Sequence, residues 1–110
     1  MNSVVLAFVG DAVYTLLVRE RLALEGGTDT GELNRRASEL VSAHGQSDSL
    51  ERILPLLSEE EEGIFRRGRN AKKATKSKHA TVGEYVRSTG FEALIGYLYL
   101  TGQNERIEEL

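Results

Sequence analysis

Two carboxylates occupy unusual positions in this sequence, because each stands inside a run of apolar and small residues. Asp11 lies within FVGDAVY at positions 8–14, and Glu92 lies within GFEALIGY at positions 90–97. An ionised carboxylate is costly to bury unless a cation or hydrogen-bond donors compensate it. Two such acids on helices that pack together would also repel each other, and a divalent cation between them would relieve both costs. Asp11 and Glu92 are therefore candidate metal ligands.

The chemistry of such a site follows from its donor atoms. The chain has no Cys, so thiolate catalysis and Cys-ligated zinc are excluded. Carboxylate oxygens favour Mg²⁺, with Mn²⁺ as a substitute, and Mg²⁺ keeps several waters, which leaves room for hydrolysis. In the structural alternative, each acid accepts hydrogen bonds at a helix end or pairs with a buried arginine. The spacing of the two acids, taken alone, favours this alternative. The sequence context of the two acids must decide between the two interpretations.

A second candidate site is a basic segment at positions 66–78. This segment holds seven of the 14 basic residues and no acid, whereas the rest of the chain holds 7 basic and 17 acidic residues. The net charge of -3 therefore hides a concentrated positive region in an acidic chain. Such a region indicates a local anion-binding surface. A solvated charged loop explains the composition equally well.

Helices must position these residues, since the apolar spacing is helical and no strand pattern or internal repeat competes with it. A first helix is predicted from Ser3 to about Leu24, carrying Asp11, and its apolar run is interpreted as that of a core helix. A long fifth helix is predicted to run to about Thr101, carrying Glu92. With 110 residues, the chain is expected to form a single domain over residues 1–110, an all-α bundle of about six helices.

Capping and breaking residues predict the boundaries of the second and third helices. Thr28 or Thr30 is expected to cap the second helix, and Gly45 is expected to interrupt it. A third helix is expected at about 47–57, where Pro55 should bend or shorten it.

Capping-box spacings predict two further helix starts. SEEE at 58–61 begins a fourth helix, and TVGE at 81–84 begins the fifth. Positions 70–80 have no apolar periodicity and are predicted to form an exposed loop. Positions 104–110 are predicted to add a short closing helix.

The composition also indicates the cellular compartment in which the protein is expected. A chain without Cys suits a reducing compartment, and the cytoplasm is the expected location. Gly10 and Asp11 break the N-terminal apolar run well short of the ~18 residues that a membrane span needs. No membrane partner is therefore expected.

Four segments give the two acids a family context. FVGDAVY at 8–14, GELNRRASELVSAHGQ at 31–46 and STGFEALIGYLYL at 88–100 resemble, in this order, the endonuclease domain of the ribonuclease III family. EEEEGIFRRGRNAK at 59–72 resembles the Mini-III branch, in which that domain stands alone without a double-stranded-RNA-binding domain. The resemblance implies the helical fold of that endonuclease domain.

The resemblance also implies roles for individual residues. It implies that Asp11 and Glu92 are catalytic, metal-binding carboxylates. Larger relatives carry one further acid a helical turn before the position of Asp11 and another three residues before the position of Glu92. In this chain those two positions hold Ala7 and Thr89. A thinner metal shell follows, which water and RNA phosphate would complete. The implied RNA contacts are Arg67, Arg69, Asn70, Lys72, Lys73, Lys76 and Lys78.

The activity that the resemblance implies is Mg²⁺-dependent hydrolysis of phosphodiesters in double-stranded or structured RNA. Its products would be a 5′-phosphate and a 3′-hydroxyl, and its biological role would be maturation of the ends of the large-subunit ribosomal RNA precursor. The implied partners are a second copy of the chain in a homodimer, precursor ribosomal RNA, and a ribosomal protein that presents it. The alternative is a catalytically silent RNA-binding module of the same fold, associated with ribosome assembly.

Overall fold

The computed structural model describes residues 2–26, 29–71 and 82–109, apart from five side chains in the second and third of these ranges. The described residues form six α-helices and no strand, which confirms the all-α prediction. The helices are α1 (Ser3–Leu24), α2 (Thr30–Val41), α3 (Ala43–Ile53), α4 (Glu59–Asn70), α5 (Val82–Leu100) and α6 (Asn104–Glu109), with a 3₁₀ turn at Leu54–Leu56. Within the described ranges, no helix is long and apolar enough to cross a membrane.

α1 and α5 form the centre of the fold and cross through two glycines. A Cβ added at Gly10 would stand 1.7 Å from the carbonyl oxygen of Glu92, and one added at Gly96 would stand 2.0 Å from that of Leu6. The backbones of the two helices are therefore in direct contact, which a side chain at either glycine would prevent. Leu6 faces Gly96 and Gly10 faces Glu92, so the two helices run antiparallel.

α3, α4 and α6 pack around α5, whose apolar face forms half of the core. Gly68 of α4 lies against α5, since a Cβ at this position would stand 2.8 Å from the Cβ of Ala93. This close approach lets the apolar side chains of the two helices interlock at high density. The buried core consists of Leu50, Ile53, Phe65, Phe91, Leu94, Ile95, Leu98 and Ile107.

The start of α2 is capped by a different residue from those predicted. Asp29 accepts a hydrogen bond from the backbone N–H of Gly31 at 2.9 Å, which makes Asp29 the N-cap. Thr30 is the first residue of the helix, and Thr28 lies outside the described residues. Aspartate suits this position because its charge also complements the positive end of the helix dipole.

α3 begins earlier than predicted. Ser42 caps it by accepting a hydrogen bond from the backbone N–H of Gly45 at 3.1 Å, so Gly45 lies in the first turn of α3 and does not interrupt α2. A Cβ at Gly45 would stand 2.4 Å from the carbonyl oxygen of Glu39. The close approach of two helices therefore requires this glycine. Pro55 lies in the 3₁₀ turn beyond α3 and shortens the helix as predicted.

The predicted capping box at the start of α4 is confirmed. Ser58 accepts a hydrogen bond from the backbone of Glu61, and the Glu61 side chain accepts one from the backbone of Ser58. The same carboxylate pairs with Arg106 at 2.8 Å, and Arg106 also donates to the carbonyl oxygen of Leu56 at 2.7 Å. Glu61 is buried and Arg106 is half-buried, and their ion pair fixes α6, the predicted closing helix, to the body of the fold. The predicted cap at Thr81 lies outside the described residues.

Candidate active site

Asp11 and Glu92 lie on the two helices that cross at Gly10. Gly10 directly precedes Asp11 and touches the backbone of Glu92, so the crossing brings the two acids to the same part of the molecule. Glu92 is buried, with 8% of its surface exposed, whereas Asp11 is exposed. The expectation that both acids are embedded in the core is therefore wrong for Asp11. Its apolar neighbours Phe8 and Ala12 are exposed too, because they belong to the outer face of α1.

The donor set of this site fits Mg²⁺ or Mn²⁺. Among the described residues, no group of three or more His, Asp or Glu side chains is close enough together to hold a metal ion. Mg²⁺ needs only one or two protein carboxylates because water and substrate phosphates complete its shell. Ala7 and Thr89, which stand where larger relatives carry acids, are both buried and place no carboxylate there. Asp11 and Glu92 therefore remain the candidate ligands.

A residue that the sequence analysis did not single out lies beside Glu92. Gln46 of α3 is 2% exposed, and its Nε2 lies 3.5 Å from Oε2 of Glu92. The same nitrogen donates to the carbonyl oxygen of Val41 at 3.0 Å. Helical spacing was the available signal, since Gln46 shares the buried face of α3 with Leu50 and Ile53. Apolar packing alone does not explain why a polar residue occupies this position on the buried face of α3.

Tyr14 links three helices beside the buried acid. Its ring packs edge-on against Phe91, the residue before Glu92, with the ring centroids 5.0 Å apart and the planes at 89°. Its hydroxyl shares a hydrogen bond with Oγ of Ser49 at 3.3 Å. Aromatic packing and this hydrogen bond together hold α1, α3 and α5 in a fixed arrangement next to Glu92.

The described part of the basic segment is the last turn of α4. Arg67 is exposed there, and the Arg69 guanidinium lies 5.8 Å from the centroid of the Phe65 ring, within the range of a cation–π contact. Nε of Arg69 also donates to Oδ1 of the exposed Asn70 at 3.3 Å. The end of α4 therefore presents positive charge and a polar amide to solvent.

The fold sets this charged turn close to the buried acid. Gly68, between the two arginines, packs against Ala93, which directly follows Glu92 in α5. The structure thus brings together the start of the predicted RNA-binding segment and the helix that bears one predicted metal ligand. The four predicted lysine contacts lie outside the described residues: Lys72, Lys73, Lys76 and Lys78.

Glu32, an acid in the second family segment, is paired within its own helix. Its carboxylate accepts hydrogen bonds from Arg35, at 3.3 Å for the Nε donor. These bonds and the positive charge of Arg35 hold the pKa of Glu32 below its usual range. Glu32 is exposed, so a charged carboxylate stands on the surface of α2.

Comparison with known proteins identifies the family. Residues 4–103 match the Ribonuclease III domain. A Mini-ribonuclease 3 of Symbiobacterium thermophilum is 49% identical over 105 residues, which is 96% of this chain and 81% of that protein. A Mini-ribonuclease 3 of Brevibacillus brevis is 46% identical over 109 residues, which is 99% of this chain and 81% of the relative.

A solved structure gives the same result for the fold. An X-ray crystal structure of a protein from Fusobacterium nucleatum matches with a TM-score of 0.89 at 35% sequence identity, covering 99% of this chain and 87% of that one. The matched domain includes the α1–α5 crossing and both candidate carboxylates. This chain belongs to the ribonuclease III family.

Proposed function

We propose that this chain is a Mg²⁺-dependent endoribonuclease that cuts double-stranded or structured RNA at a site built on Asp11 and Glu92. The observation that carries the proposal is the crossing of α1 and α5, where Gly10 holds the helix of Asp11 against the backbone of Glu92. Two acids that are far apart in sequence therefore lie on helices in backbone contact. Membership of the ribonuclease III family supports the nuclease activity.

The two carboxylates are suited to hold the ion and to leave one side of it open. When bound there, the ion would lower the pKa of its water and neutralise charge on the reacting phosphate. Glu92 is buried, which restricts its side-chain conformations, while Asp11 is exposed and can be reached from solvent. Because Gly10 fixes the crossing, the spacing of the two acids is set before RNA binds.

The basic segment is proposed to bind the RNA backbone. Duplex RNA in the A form presents phosphates and 2′-hydroxyls, so proteins recognise its shape more than its sequence. Arg67, Arg69 and Asn70 end α4 close to α5, and the four lysines of the segment follow in the sequence. Such contacts supply salt-dependent affinity and position the duplex over the acids.

We infer a homodimer from the outer face of α1. Val5, Phe8 and Leu16 lie on one side of this helix, with 40%, 80% and 61% of their surfaces exposed. Exposed apolar patches of this kind mark protein–protein contacts. Two copies related by a twofold axis would present one site to each strand of a duplex. The face that carries Phe8 also carries the exposed Asp11, so the interface would border the site.

The proposal extends to the cellular role. Its substrate is precursor ribosomal RNA of the large subunit, its compartment is the cytoplasm, and a ribosomal protein that presents the RNA is a further partner. The absence of Cys supports a reducing compartment. The resemblance of residues 59–72 to the Mini-III branch supports the ribosomal substrate. We also propose that residues 1–110 form a single catalytic domain.

The test is incubation of the purified protein with a long RNA duplex, with and without Mg²⁺. We expect cutting that requires the ion and yields 5′-phosphate ends. Asp11→Asn and Glu92→Gln should each slow cutting by about 10²- to 10³-fold and leave duplex binding in place, because they remove one negative charge without changing side-chain size. Mg²⁺-dependent cutting that survives both substitutions undiminished would refute the site. Duplex binding without cutting by the unaltered protein would favour the silent RNA-binding module.

A further inference from the structure

Gln46 combines deep burial with an incomplete set of hydrogen bonds. Its side chain is 2% exposed, and its carbonyl oxygen Oε1 has no hydrogen-bond partner within the part of the chain that the structure describes. A buried carbonyl oxygen without a partner is costly, and Met or Leu would fill a similar space without that cost. The presence of an amide at this position therefore needs a reason other than packing.

The orientation of the Gln46 amide is fixed by two acceptors. Nε2 donates to the carbonyl oxygen of Val41 at 3.0 Å and lies 3.5 Å from Oε2 of Glu92. Exchanging the nitrogen and the oxygen of the amide would set an oxygen against both acceptors. The unpaired Oε1 is therefore held in place as an acceptor, next to the nitrogen that faces the Glu92 carboxylate.

We propose that Gln46 is a positioning residue of the metal site. Its amide nitrogen, held in place by the carbonyl oxygen of Val41, orients the Glu92 carboxylate. This inference rests on the proposed function, because it assigns a role beside the proposed ligands. Groups that orient a metal ligand in this way typically change metal affinity by roughly 10- to 100-fold when they are removed. By this assignment α3 contributes to a site whose ligands lie on α1 and α5.

The test measures Mn²⁺ binding to the metal-free protein by electron paramagnetic resonance, which requires no RNA cleavage. Gln46→Met keeps the length of the side chain and removes the amide. Gln103→Met is the matched control, because Gln103 is exposed beyond the end of α5. We expect the Mn²⁺ affinity to fall roughly 10- to 100-fold in Gln46→Met. The affinity of Gln103→Met should remain that of the unaltered protein.

A second variant keeps the test decisive if Gln46→Met folds poorly. Gln46→Glu preserves the shape of the side chain and sets a second anion beside Glu92. A cation at the site would relieve the repulsion between the two anions. Mn²⁺ should therefore raise the melting temperature of Gln46→Glu by more than it raises that of the unaltered protein. An equal rise in both proteins would contradict the role of Gln46.

The same titrations separate failure of this inference from failure of the proposed function. If the unaltered protein binds no Mn²⁺, both proposals are overturned. If Glu92→Gln abolishes binding but Gln46→Met leaves the affinity unchanged, the metal site stands and the positioning role of Gln46 is overturned. Weakened binding in Gln46→Met with retained helical content, measured by circular dichroism, supports the inference.

Discussion

Gly10 lies so close to Glu92 that a Cβ at position 10 would stand 1.7 Å from the Glu92 carbonyl oxygen. The contact is between backbones, so no rotation of a side chain could relieve it. Gly96 makes the corresponding approach to Leu6 on the other side of the crossing. The two glycines thus set the distance between the helix of Asp11 and the helix of Glu92, and the geometry of the candidate site depends on them.

Gly10→Ala should therefore destabilise the fold. The added methyl group must push α1 away from α5, and we expect the free energy of unfolding to fall by about 3 kcal/mol or more. Gly63→Ala is the matched control, because a Cβ at Gly63 meets only the flexible end of Arg67 at 3.6 Å. That substitution should stabilise α4 by about 0.5–1 kcal/mol. Urea denaturation measures both changes, and equal effects at the two positions would contradict the crossing.

The Glu61–Arg106 pair should make stability depend on pH. The Arg106 guanidinium holds the pKa of the Glu61 carboxyl below its usual range, so the pair stabilises the folded state above about pH 5 and loses this effect as the pH falls. Glu61→Gln retains a capping residue but removes the charge, and should cost about 2–3 kcal/mol near neutral pH.

The control for this pair is Glu62→Gln, at the next residue in the first turn of α4. Glu62 is exposed, so its loss should cost well under 1 kcal/mol, as expected for a charge near a helix N-terminus. Denaturation of all three proteins at several pH values compares them. A difference between the unaltered protein and Glu61→Gln that does not shrink towards acidic pH would contradict the ion-pair explanation.

The lysines of the basic segment should determine how strongly salt weakens RNA binding. Replacing Lys72, Lys73 and Lys76 by Ala should reduce the slope of log affinity against log salt by about 2–3, if each contacts one phosphate. The control removes three cations elsewhere, at Arg21, Arg35 and Arg36. Two of these already pair with acids of the same chain. Equal slopes for the two triple variants would remove the segment from the proposed RNA-binding surface.

Phe8→Glu should separate the proposed dimer. A charge in the middle of an apolar interface costs far more than it does in water, so the variant should have the mass of one chain by light scattering after gel filtration. Leu56→Glu is the control, since Leu56 is also exposed but lies in the 3₁₀ turn. That variant should keep the mass of the unaltered protein. An unaltered protein with the mass of one chain would refute the dimer.

Features encoded within one helical turn were predictable from the sequence. Ser58 and Glu61 form the expected capping box because both partners lie in one turn, and Pro55 ends α3 because it lacks a backbone N–H. The start of α2 was assigned to a threonine although the adjacent Asp29 caps it. Several residues in that turn have capping side chains, so local preference did not distinguish them.

Features that depend on the packing of one helix against another were not predictable from the sequence. The apolar run around Asp11 was interpreted as part of a core helix, but Phe8 is 80% exposed, because apolar composition alone does not show which face of a helix its neighbours cover. The partner of Glu61, Arg106, is 45 residues away in the sequence. The contact between Gln46 and Glu92 exists only because α3 packs beside α5. Helical periodicity identifies a face and leaves open what covers it.

The role of Glu92 in the reaction is tested by the single-turnover rate of RNA duplex cleavage by Glu92→Gln, compared with Glu105→Gln, at saturating protein and Mg²⁺. Glu105 is exposed on α6, so its substitution is the same chemical change away from the site. Loss of a carboxylate that holds the ion should slow cleavage by about 10²- to 10³-fold, which corresponds to about 3–4 kcal/mol of barrier. Glu105→Gln should cut at the unaltered rate. Equal rates for the two variants would show that Glu92 does not serve the reaction.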